Sequence, residues 1–261
     1  MEEKTCPLAE LFFKKEFKKH TGIKDTRFIL AVGSSKGGVG KTTISAILAL
    51  ALKKAGYLVG AFDLDFYGPN LHLVLGVNKK PITEFGKIKP VSFDNIKILS
   101  LALMITEKEP IFMRGLMASK LLQELLQKVE WGPLDFLVLD LPPGTGDIFL
   151  TMLDFFNPEG FILVTTPHKL ALSDAKRTLS ILKEKTIPIL GVVKNMADFF
   201  EDETSFQDFL NEQKLNVLFE IPVLKELSKT ENLTEVFKSS EKQKFLEDIA
   251  KKVLDKVFRI K

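Results

Sequence analysis

The chain has 261 residues, of which 45% are hydrophobic and 27% are charged, a composition that suits one large globular domain with a buried core. Its 37 basic and 34 acidic residues give a net charge of +3, which is too close to balance to indicate a nucleic-acid or anionic-membrane footprint. The single cysteine, Cys6, excludes an intramolecular disulfide, and the sequence shows neither a secretory signal nor an apolar run long enough to span a bilayer, so we expect a cytoplasmic protein.

The N-terminal residues 1–25 are rich in lysine and carry Leu8, Leu11 and Phe12 at helical spacing. We interpret them as a helical extension that packs on a single domain of residues 26–261. A helix that lies on a membrane surface is the alternative, but the apolar stretch is short for that role.

From Phe28 onward, short apolar runs alternate with helical stretches. Several runs are nearly continuous, which is typical of strands that are buried on both faces. The pattern predicts a doubly wound α/β fold, with a mainly parallel sheet of about seven strands and helices on both faces. The predicted strands are 28–32, 57–62, 96–101, 136–139, 161–165, 187–193 and 217–221.

Two helices and one irregular segment are predicted around these strands. Apolar residues at steps of three and four predict a helix with one apolar stripe, which Gly56 terminates. A second amphipathic helix is predicted over the C-terminal residues 241–261. Residues 198–209 are acidic with scattered phenylalanines, and we interpret them as a mobile excursion from the sheet. The two apolar faces consist of Ile44, Ile47, Leu48, Ala51 and Leu52 in the first helix and of Phe245, Ile249, Val253 and Val257 in the second.

The run Ser-Lys-Gly-Gly-Val-Gly-Lys-Thr-Thr at residues 35–43 follows the first predicted strand and opens the first predicted helix. Glycines let backbone N–H groups turn toward phosphates, and a helix N-terminus adds the positive end of its dipole. Lys41 is placed to contact the β- and γ-phosphates of ATP, and Thr42 to offer a hydroxyl to Mg²⁺. Ser35 stands where the usual motif has glycine, and the additional Lys36 marks the deviant form of the Walker A motif. The predicted nucleotide-binding residues of this loop are Gly37, Gly38, Val39, Gly40, Lys41, Thr42 and Thr43.

Carboxylates follow two other predicted strands. Asp63 and Asp65 come after the second run, and Asp140 follows the run at 136–139. Because open α/β sheets bind ligands at the carboxyl ends of their strands, we expect these side chains and the phosphate loop to line one crevice. Asp140 is placed to hold Mg²⁺ through water, as a Walker B acid does. Asp63 and Asp65 alternate in side, so only one of them can face the γ-phosphate.

These three motifs resemble the Mrp/ApbC branch of the MinD–ParA family of deviant Walker A P-loop ATPases. The resemblance runs from about residue 28 to residue 222, and the stretch Pro-Pro-Gly-Thr-Gly-Asp at 142–147 and the stretch Tyr-Gly-Pro at 67–69 favour this branch over MinD or ParA proper. Further matching motifs lie at 113–115, 131–135, 164–167, 171–175 and 191–196. The resemblance implies a P-loop NTPase fold and slow Mg²⁺-dependent hydrolysis of ATP to ADP and phosphate.

The resemblance also implies roles for single residues. Lys36 would reach across a homodimer to the partner's phosphates, and Asp65 would orient the attacking water. Asn195 would contact adenine, and the loop after Pro222 would cover the base. The resulting catalytic residues are Lys36, Lys41, Asp65 and Asp140, and the resulting metal-binding residues are Thr42, Asp63 and Asp140.

Members of this family bind or transfer iron–sulfur clusters through a Cys-x-x-Cys pair from each subunit, since thiolates are soft, strongly donating ligands. The pair would fall near positions 201 and 204, where this chain has Glu201 and Thr204. Cys6 is the only thiol, so an iron–sulfur cluster is a doubtful cofactor here. The acidic residues 201–203 could bind a harder metal, but we interpret them as a solvated loop.

Two functions stay open at this point. The first is a homodimeric ATPase of iron–sulfur cluster assembly, with assembly proteins or apo-target proteins as partners. The second is a nucleotide-switched positioning or partner-binding ATPase of the MinD–ParA kind, which a basic C-terminal helix would favour. We expect no nucleic-acid partner and no membrane partner. A partner-binding patch is conceivable at Phe199, Phe200, Phe206 and Phe209.

Overall fold

The computed structural model describes residues 23, 25–66, 68–100, 103, 127–200, 203–228, 230 and 232–259. The helix predicted for residues 1–25 falls almost wholly outside these residues, as do Cys6, Glu201 and the motif at 113–115.

The described residues contain a large sheet and a separate hairpin. The strands are β1 (Thr26–Gly33), β2 (Val59–Asp63), β3 (Ile82–Glu84), β4 (Lys87–Lys89), β5 (Val91–Phe93), β6 (Ile96–Ser100), β7 (Leu134–Asp140), β8 (Gly160–Thr165), β9 (Ile189–Asn195) and β10 (Val217–Ile221). Eight of them form one sheet in the order β10-β9-β8-β1-β7-β2-β6-β5, while β3 pairs only with β4. Every neighbouring pair in the large sheet is parallel except β5 and β6. All seven predicted strands are confirmed, and so is the mainly parallel sheet.

Three short strands were missed by the sequence analysis for one physical reason. The strands β3, β4 and β5 have three residues each, and several of their side chains are polar and exposed. The sequence analysis relied on continuous apolar runs, which mark strands covered on both faces. The separate β3–β4 hairpin and the edge strand β5 lack that cover, and none of the three carries such a run.

Helices cover both faces of the sheet, as predicted. They are α1 (Lys41–Lys54), α2 (Leu71–Val74), α3 (Asp147–Phe156), α4 (Lys169–Glu184), α5 (Thr204–Gln213), α6 (Leu233–Val236) and α7 (Ser240–Arg259), with a 3₁₀ turn at Lys225–Ser228. The helices α1, α2, α6 and α7 share one hydrophobic cluster with the sheet. The helices α3, α4 and α5 contribute to the cluster on the other face. None of these helices combines the length and the apolar character that a membrane span requires.

The helix α1 is buried more completely than its predicted stripe. Every residue from Ile44 to Leu52 is buried, because α1 lies between the sheet and α7. The helix ends at Lys54, and Gly56 follows with φ 91°, the left-handed conformation that glycine adopts most readily. The predicted C-terminal helix is confirmed as α7, in which Phe245 is only partly buried.

The prediction of a mobile excursion at 198–209 is wrong for its second half. Residues from Thr204 form α5, and Phe206 and Phe209 are only 3% and 2% exposed because they pack into the core. They stand three positions apart, which places them on one face of the helix. The sequence analysis described these phenylalanines as scattered and did not recognise the helical spacing. Of the predicted aromatic patch, Phe199 is exposed and Phe200 is half-buried.

Candidate nucleotide-binding site

The carboxyl ends of the central strands meet at one edge of the sheet. In the parallel register, Asp140 is level with Val32 of β1 and with Asp63 of β2. Asp63 in turn is level with Ser100 of β6. The phosphate loop leaves β1 at the same edge, so the structure brings the three predicted motifs together.

The phosphate loop has the backbone that an anion cradle requires. Gly38 and Gly40 adopt φ 80° and φ 85°, and α1 begins immediately afterwards at Lys41. A side chain built at Gly37 or Gly38 would meet no other atom within 4 Å, so this face of the loop is open to a ligand. An open ring of backbone N–H groups at the start of a helix is a phosphate site.

Ser35 has a partner that explains why serine can replace the usual glycine. Its Oγ lies 2.7 Å from Oγ1 of Thr178, which belongs to α4. Ser34 Oγ donates to the carbonyl of Lys36 at 2.9 Å. These contacts fix the first part of the loop, while the side chain of Lys36 is exposed to solvent.

A buried ion pair lies under the loop. Lys41 Nζ donates to Asp140 Oδ1 at 2.7 Å, and the two residues are only 6% and 0% exposed. Ser45 Oγ donates to the same carboxylate oxygen at 2.8 Å from one helical turn further along α1. The pair therefore sits at the first turn of α1, directly behind the open face of the loop.

The second oxygen of Asp140 fits a bound cation. Asp140 Oδ2 is buried and accepts a hydrogen bond from none of the described residues. A buried oxygen without a partner is rare and calls for an ion or a water molecule. Carboxylate and hydroxyl oxygens are preferred by Mg²⁺. Thr42, next to Lys41 in the first turn of α1, offers a hydroxyl. Within the described ranges, no three His, Cys, Asp or Glu side chains form a metal-binding group.

Asp63 is fully buried and is held by the backbone of the loop that follows it. Its Oδ2 accepts from the N–H of Leu71 and from Ser100 Oγ, both at 3.0 Å, and its Oδ1 accepts from the N–H of Asp65 at 3.2 Å. Burial, followed by the nearby Asp140 carboxylate, raises the pKa of Asp63 from 3.8 to about 7. Near neutral pH this carboxyl therefore retains a proton for much of the time.

Asp65 is slightly less buried than Asp63 and forms an ion pair with Lys41. One of its carboxylate oxygens is 4.0 Å from Lys41 Nζ, and the other accepts from the N–H of Gly68 at 3.2 Å. The two aspartates thus differ as their alternation predicts, with Asp63 enclosed by the loop and Asp65 turned toward Lys41.

Asn195 contacts the phosphate loop directly. Its Nδ2 donates to the carbonyl of Val39 at 2.8 Å, and a side chain at Gly40 would come within 2.1 Å of the same nitrogen. Pro222 is exposed just after β10, and the N–H of the next residue, Val223, donates to Asp198 Oδ1 at 2.6 Å. The loop after Pro222 and the segment after Asn195 are therefore joined, while a contact of either with adenine stays a prediction.

Lys194 is a buried residue that the sequence analysis did not single out. It is 2% exposed and pairs with Glu203 and, at 3.6 Å, with Glu220, while its Nζ lies 5.6 Å from the ring centroid of Phe206. The pair with Glu203 anchors the segment in which the cysteines of the resembled family would fall. The sequence carried one indication that Lys194 has a role, because it is a lysine inside an otherwise apolar strand.

Of the histidines in the described residues, His168 has a structural role. His168 Nδ1 accepts from the N–H of Leu170 and so caps α4. His72 lies in α2, and burial lowers its pKa. Neither belongs to a group of metal-binding side chains among the described residues.

Comparison with protein families places the chain in one of them. Residues 25–258 match the family model for NUBPL iron-transfer P-loop NTPases, named ParA. An iron–sulfur cluster carrier protein from Rickettsia bellii is 37% identical over 234 residues, which cover 88% of this chain and 73% of the relative. A protein of the same name from Aquifex aeolicus is 43% identical over 219 residues, which cover 79% of this chain and 59% of the relative.

Solved structures show the same fold. A nucleotide-binding protein from Archaeoglobus fulgidus, in complex with ADP, superimposes with a TM-score of 0.68 at 30% identity and covers 82% of this chain and 89% of its own. The septum site-determining protein MinD from Pyrococcus horikoshii, complexed with Mg-ADP, gives 0.65 at 26% identity, with 87% and 96% covered. The match over nearly the whole described chain, together with the phosphate loop and its buried lysine–aspartate pair, shows that the chain belongs to the ParA family of iron-transfer P-loop NTPases.

Proposed function

We propose that this chain is an Mg²⁺-dependent ATPase that works as a homodimer in the handling of iron–sulfur clusters in the cytoplasm, with residues 26–261 as its catalytic domain. The observation that carries the proposal is the buried pair of Lys41 and Asp140 behind an open phosphate loop. The names of the relatives support the cellular role, since they are iron–sulfur cluster carrier proteins.

Lys41 and the loop bind the phosphates. In the structure the ammonium group of Lys41 is held by Asp140, 2.7 Å away, so its position is fixed before ATP arrives. Backbone N–H groups of residues 37–43 surround the phosphates, and Lys41 contacts the β- and γ-phosphates. Because the lysine is preorganised, little reorganisation is needed when charge moves to the leaving phosphate.

Thr42, Asp63 and Asp140 form the metal side of the site. Mg²⁺ bound there would neutralise the developing charge on the phosphate oxygens. Asp140 offers its unpaired Oδ2, Thr42 its hydroxyl, and Asp63 a carboxyl that ionises once a cation is near.

Asp65 positions the attacking water. It is less enclosed than Asp63 and faces Lys41 across 4.0 Å, so it borders the space in front of the phosphates. Asn195 and the loop after Pro222 flank the base. Since catalysis of this kind depends on positioning and charge stabilisation alone, turnover by one subunit is slow.

Lys36 completes the site of a partner subunit. Its side chain is exposed, whereas Lys41 is buried, so the two lysines of the loop have different surroundings. We expect Lys36→Ala to lower ATP turnover by about 10²-fold, as loss of one charge-stabilising donor does. The variant should also fail to dimerise with a slowly hydrolysed ATP analogue in light-scattering chromatography.

Lys244, an exposed lysine on α7, supplies the matched control, and Lys244→Ala should leave both readouts unchanged. A wild-type protein that stays monomeric with the analogue, and whose specific activity is independent of protein concentration, would contradict a dimeric site.

We also propose that the dimer does not hold a cluster in the family's manner. Four thiolates hold such a cluster, and two copies of this chain supply only two, both from Cys6. At the second expected position, Thr204 opens α5. The residue before it, Glu203, is paired with Lys194. The chain would then act on the assembly or transfer machinery, or on apo-target proteins, without bridging a cluster itself.

Anaerobic reconstitution with iron and sulfide tests this claim. We expect no stoichiometric cluster on the wild-type protein, measured as iron and sulfide per dimer and by thiolate-to-iron absorption. The variant with Glu201→Cys and Thr204→Cys should gain one cluster per dimer. A full cluster on the wild type that disappears in Cys6→Ser would instead make Cys6 the ligand.

A further inference from the structure

The hairpin of β3 and β4 is a rigid projection that no step of the proposed function uses. Its strands pair Ile82 with Lys89 and Glu84 with Lys87, and the turn between them consists of Phe85 and Gly86. On its inner side Ile88 is 5% exposed and bridges to Val129. The hairpin is thus anchored by one buried side chain and presents its other face to solvent.

The tip of this hairpin carries an apolar residue in an unfavourable place. Phe85 is fully exposed, at 104%, and Ile82 is 60% exposed. The backbone of Phe85 and Gly86 has φ 50° and φ 76°, as in a type I′ turn, where asparagine or aspartate normally precedes glycine. A bulky aromatic residue with positive φ is rare. Neither packing nor turn geometry within the described residues explains a phenylalanine here.

Lysines lie along the hairpin, with Lys87 next to its tip and Lys89 opposite Ile82 at its other end. Lys79, Lys80, Lys87 and Lys89 lie within the hairpin or directly before it, and all are exposed. The one acidic residue of the hairpin, Glu84, pairs with Lys89. No ion pair of Lys79, Lys80 or Lys87 occurs in the described parts of the chain. With Glu130, whose N–H donates to the carbonyl of Ile88, four lysines stand against two acidic residues, so the local charge is positive although the whole chain is near balance.

The shape and the choice of cation indicate which surface this tip fits. The tip is convex, and its cations are all lysine, which is depleted in protein–protein interfaces, where arginine is enriched. A bilayer surface offers anionic headgroups over an apolar interior, and aromatic side chains are favoured at that boundary. A three-residue strand spans about 10 Å, so Phe85 could enter the boundary region while the lysines stay among the headgroups.

We propose that the β3–β4 hairpin is a contact site for anionic lipid surfaces, with Phe85 as the inserted residue and Lys79, Lys80 and Lys87 as headgroup ligands. One aromatic anchor and a few lysines give weak, reversible and salt-sensitive binding. The hairpin lies outside the phosphate loop and its carboxylates, so binding is independent of ATP.

Co-sedimentation of the full chain with vesicles tests the proposal. The probes are vesicles of phosphatidylcholine with about one third phosphatidylglycerol, and vesicles of phosphatidylcholine alone. The decisive variant is Phe85→Asn, because asparagine suits the type I′ turn and should preserve the fold or stabilise it. We expect the wild type to bind the anionic vesicles and Phe85→Asn to bind about 10-fold more weakly. Lys87→Gln should weaken binding less, and high salt should abolish it.

Phe199→Asn is the matched control, since Phe199 is also exposed but lies after β9, and it should bind as the wild type does. Lys41→Met should also bind normally, which separates this proposal from the ATPase. Absence of binding to anionic vesicles overturns the proposal and favours a pocket on a partner protein as the surface that receives the tip. Equal binding by the wild type and Phe85→Asn overturns it as well.

Discussion

Replacement of Lys41 by methionine should reduce ATP turnover by at least about 10²-fold, because the variant loses the charge that stabilises the transferred phosphate. The same change removes the buried partner of Asp140, which is 0% exposed. An uncompensated buried carboxylate lowers the free energy of unfolding by about 3–5 kcal/mol. Lys41→Met should therefore unfold at clearly lower urea concentration than the wild type.

The double variant with Lys41→Met and Asp140→Asn separates the two effects. Removal of the orphaned charge should restore most of the lost stability, because the pair is replaced by uncharged groups of similar size. ATP turnover should not return, since both the phosphate contact and the metal carboxylate are then missing. Urea unfolding and steady-state ATPase assays measure the two quantities. A double variant that regains turnover would show that the pair has no catalytic role.

Replacement of Asp63 by asparagine should stabilise the nucleotide-free protein at pH 8. In the folded state the pKa of Asp63 is raised from 3.8 to about 7, chiefly by burial. Between these values the folded protein keeps a proton that the unfolded chain has released. The stability that the folded protein gains from keeping this proton is therefore complete below about pH 4. It is lost as the pH rises toward 7. The difference between the two pKa values corresponds to about 4 kcal/mol of stability that Asp63→Asn should recover at pH 8. The loss of one hydrogen-bond acceptor in the variant subtracts about 1 kcal/mol from this gain.

Asp63→Asn should thus raise the free energy of unfolding by about 2–3 kcal/mol at pH 8 and by much less at pH 5. Mg²⁺-dependent ATP hydrolysis should fall in the same variant, because a proposed metal ligand is removed. Ser100→Ala is the companion control, since it removes one hydrogen bond to Asp63 and leaves the carboxyl in place. Equal stabilisation of Asp63→Asn at both pH values would refute the raised pKa.

The parts of the fold that were predictable are those with a strong local pattern. Strands buried on both faces leave continuous apolar runs, and all seven of them were found. The helix α1 and its end at Gly56 follow from spacing and from glycine chemistry. In contrast, the β3–β4 hairpin has no apolar run, and α5 was obscured by the acidic residues 201–203 before it and by Asp208 between its two buried phenylalanines.

The candidate site likewise has parts that could be predicted from the sequence and parts that could not. The phosphate loop and its carboxylates are recognisable because the chemistry requires particular residue types at fixed spacing. Ser45, Ser100 and Lys194 depend on contacts between distant elements, such as the 95 positions that separate Ser45 from Asp140. No pattern in a single sequence reports such contacts.

The proposed lipid contact depends on local rather than net charge. The value of +3 for the whole chain predicts no membrane partner, whereas the proposal rests on Lys79, Lys80, Lys87 and Lys89, which lie within the hairpin or directly before it. Electrostatic attraction to a surface acts within a Debye length of about 8–10 Å, so the local charge decides it.

The end of β9 has a mechanical consequence. Its last two residues face opposite sides of the sheet, with Asn195 bonded to the phosphate loop and Lys194 to Glu203 before α5. Neighbouring strands on both sides hold β9, so we expect a shift of one of these residues to shift the other. A displacement of the loop by ATP would therefore be transmitted to the segment ahead of α5. Linkage makes this coupling reciprocal, so any molecule that holds this segment in one position must alter the affinity for ATP by the same factor.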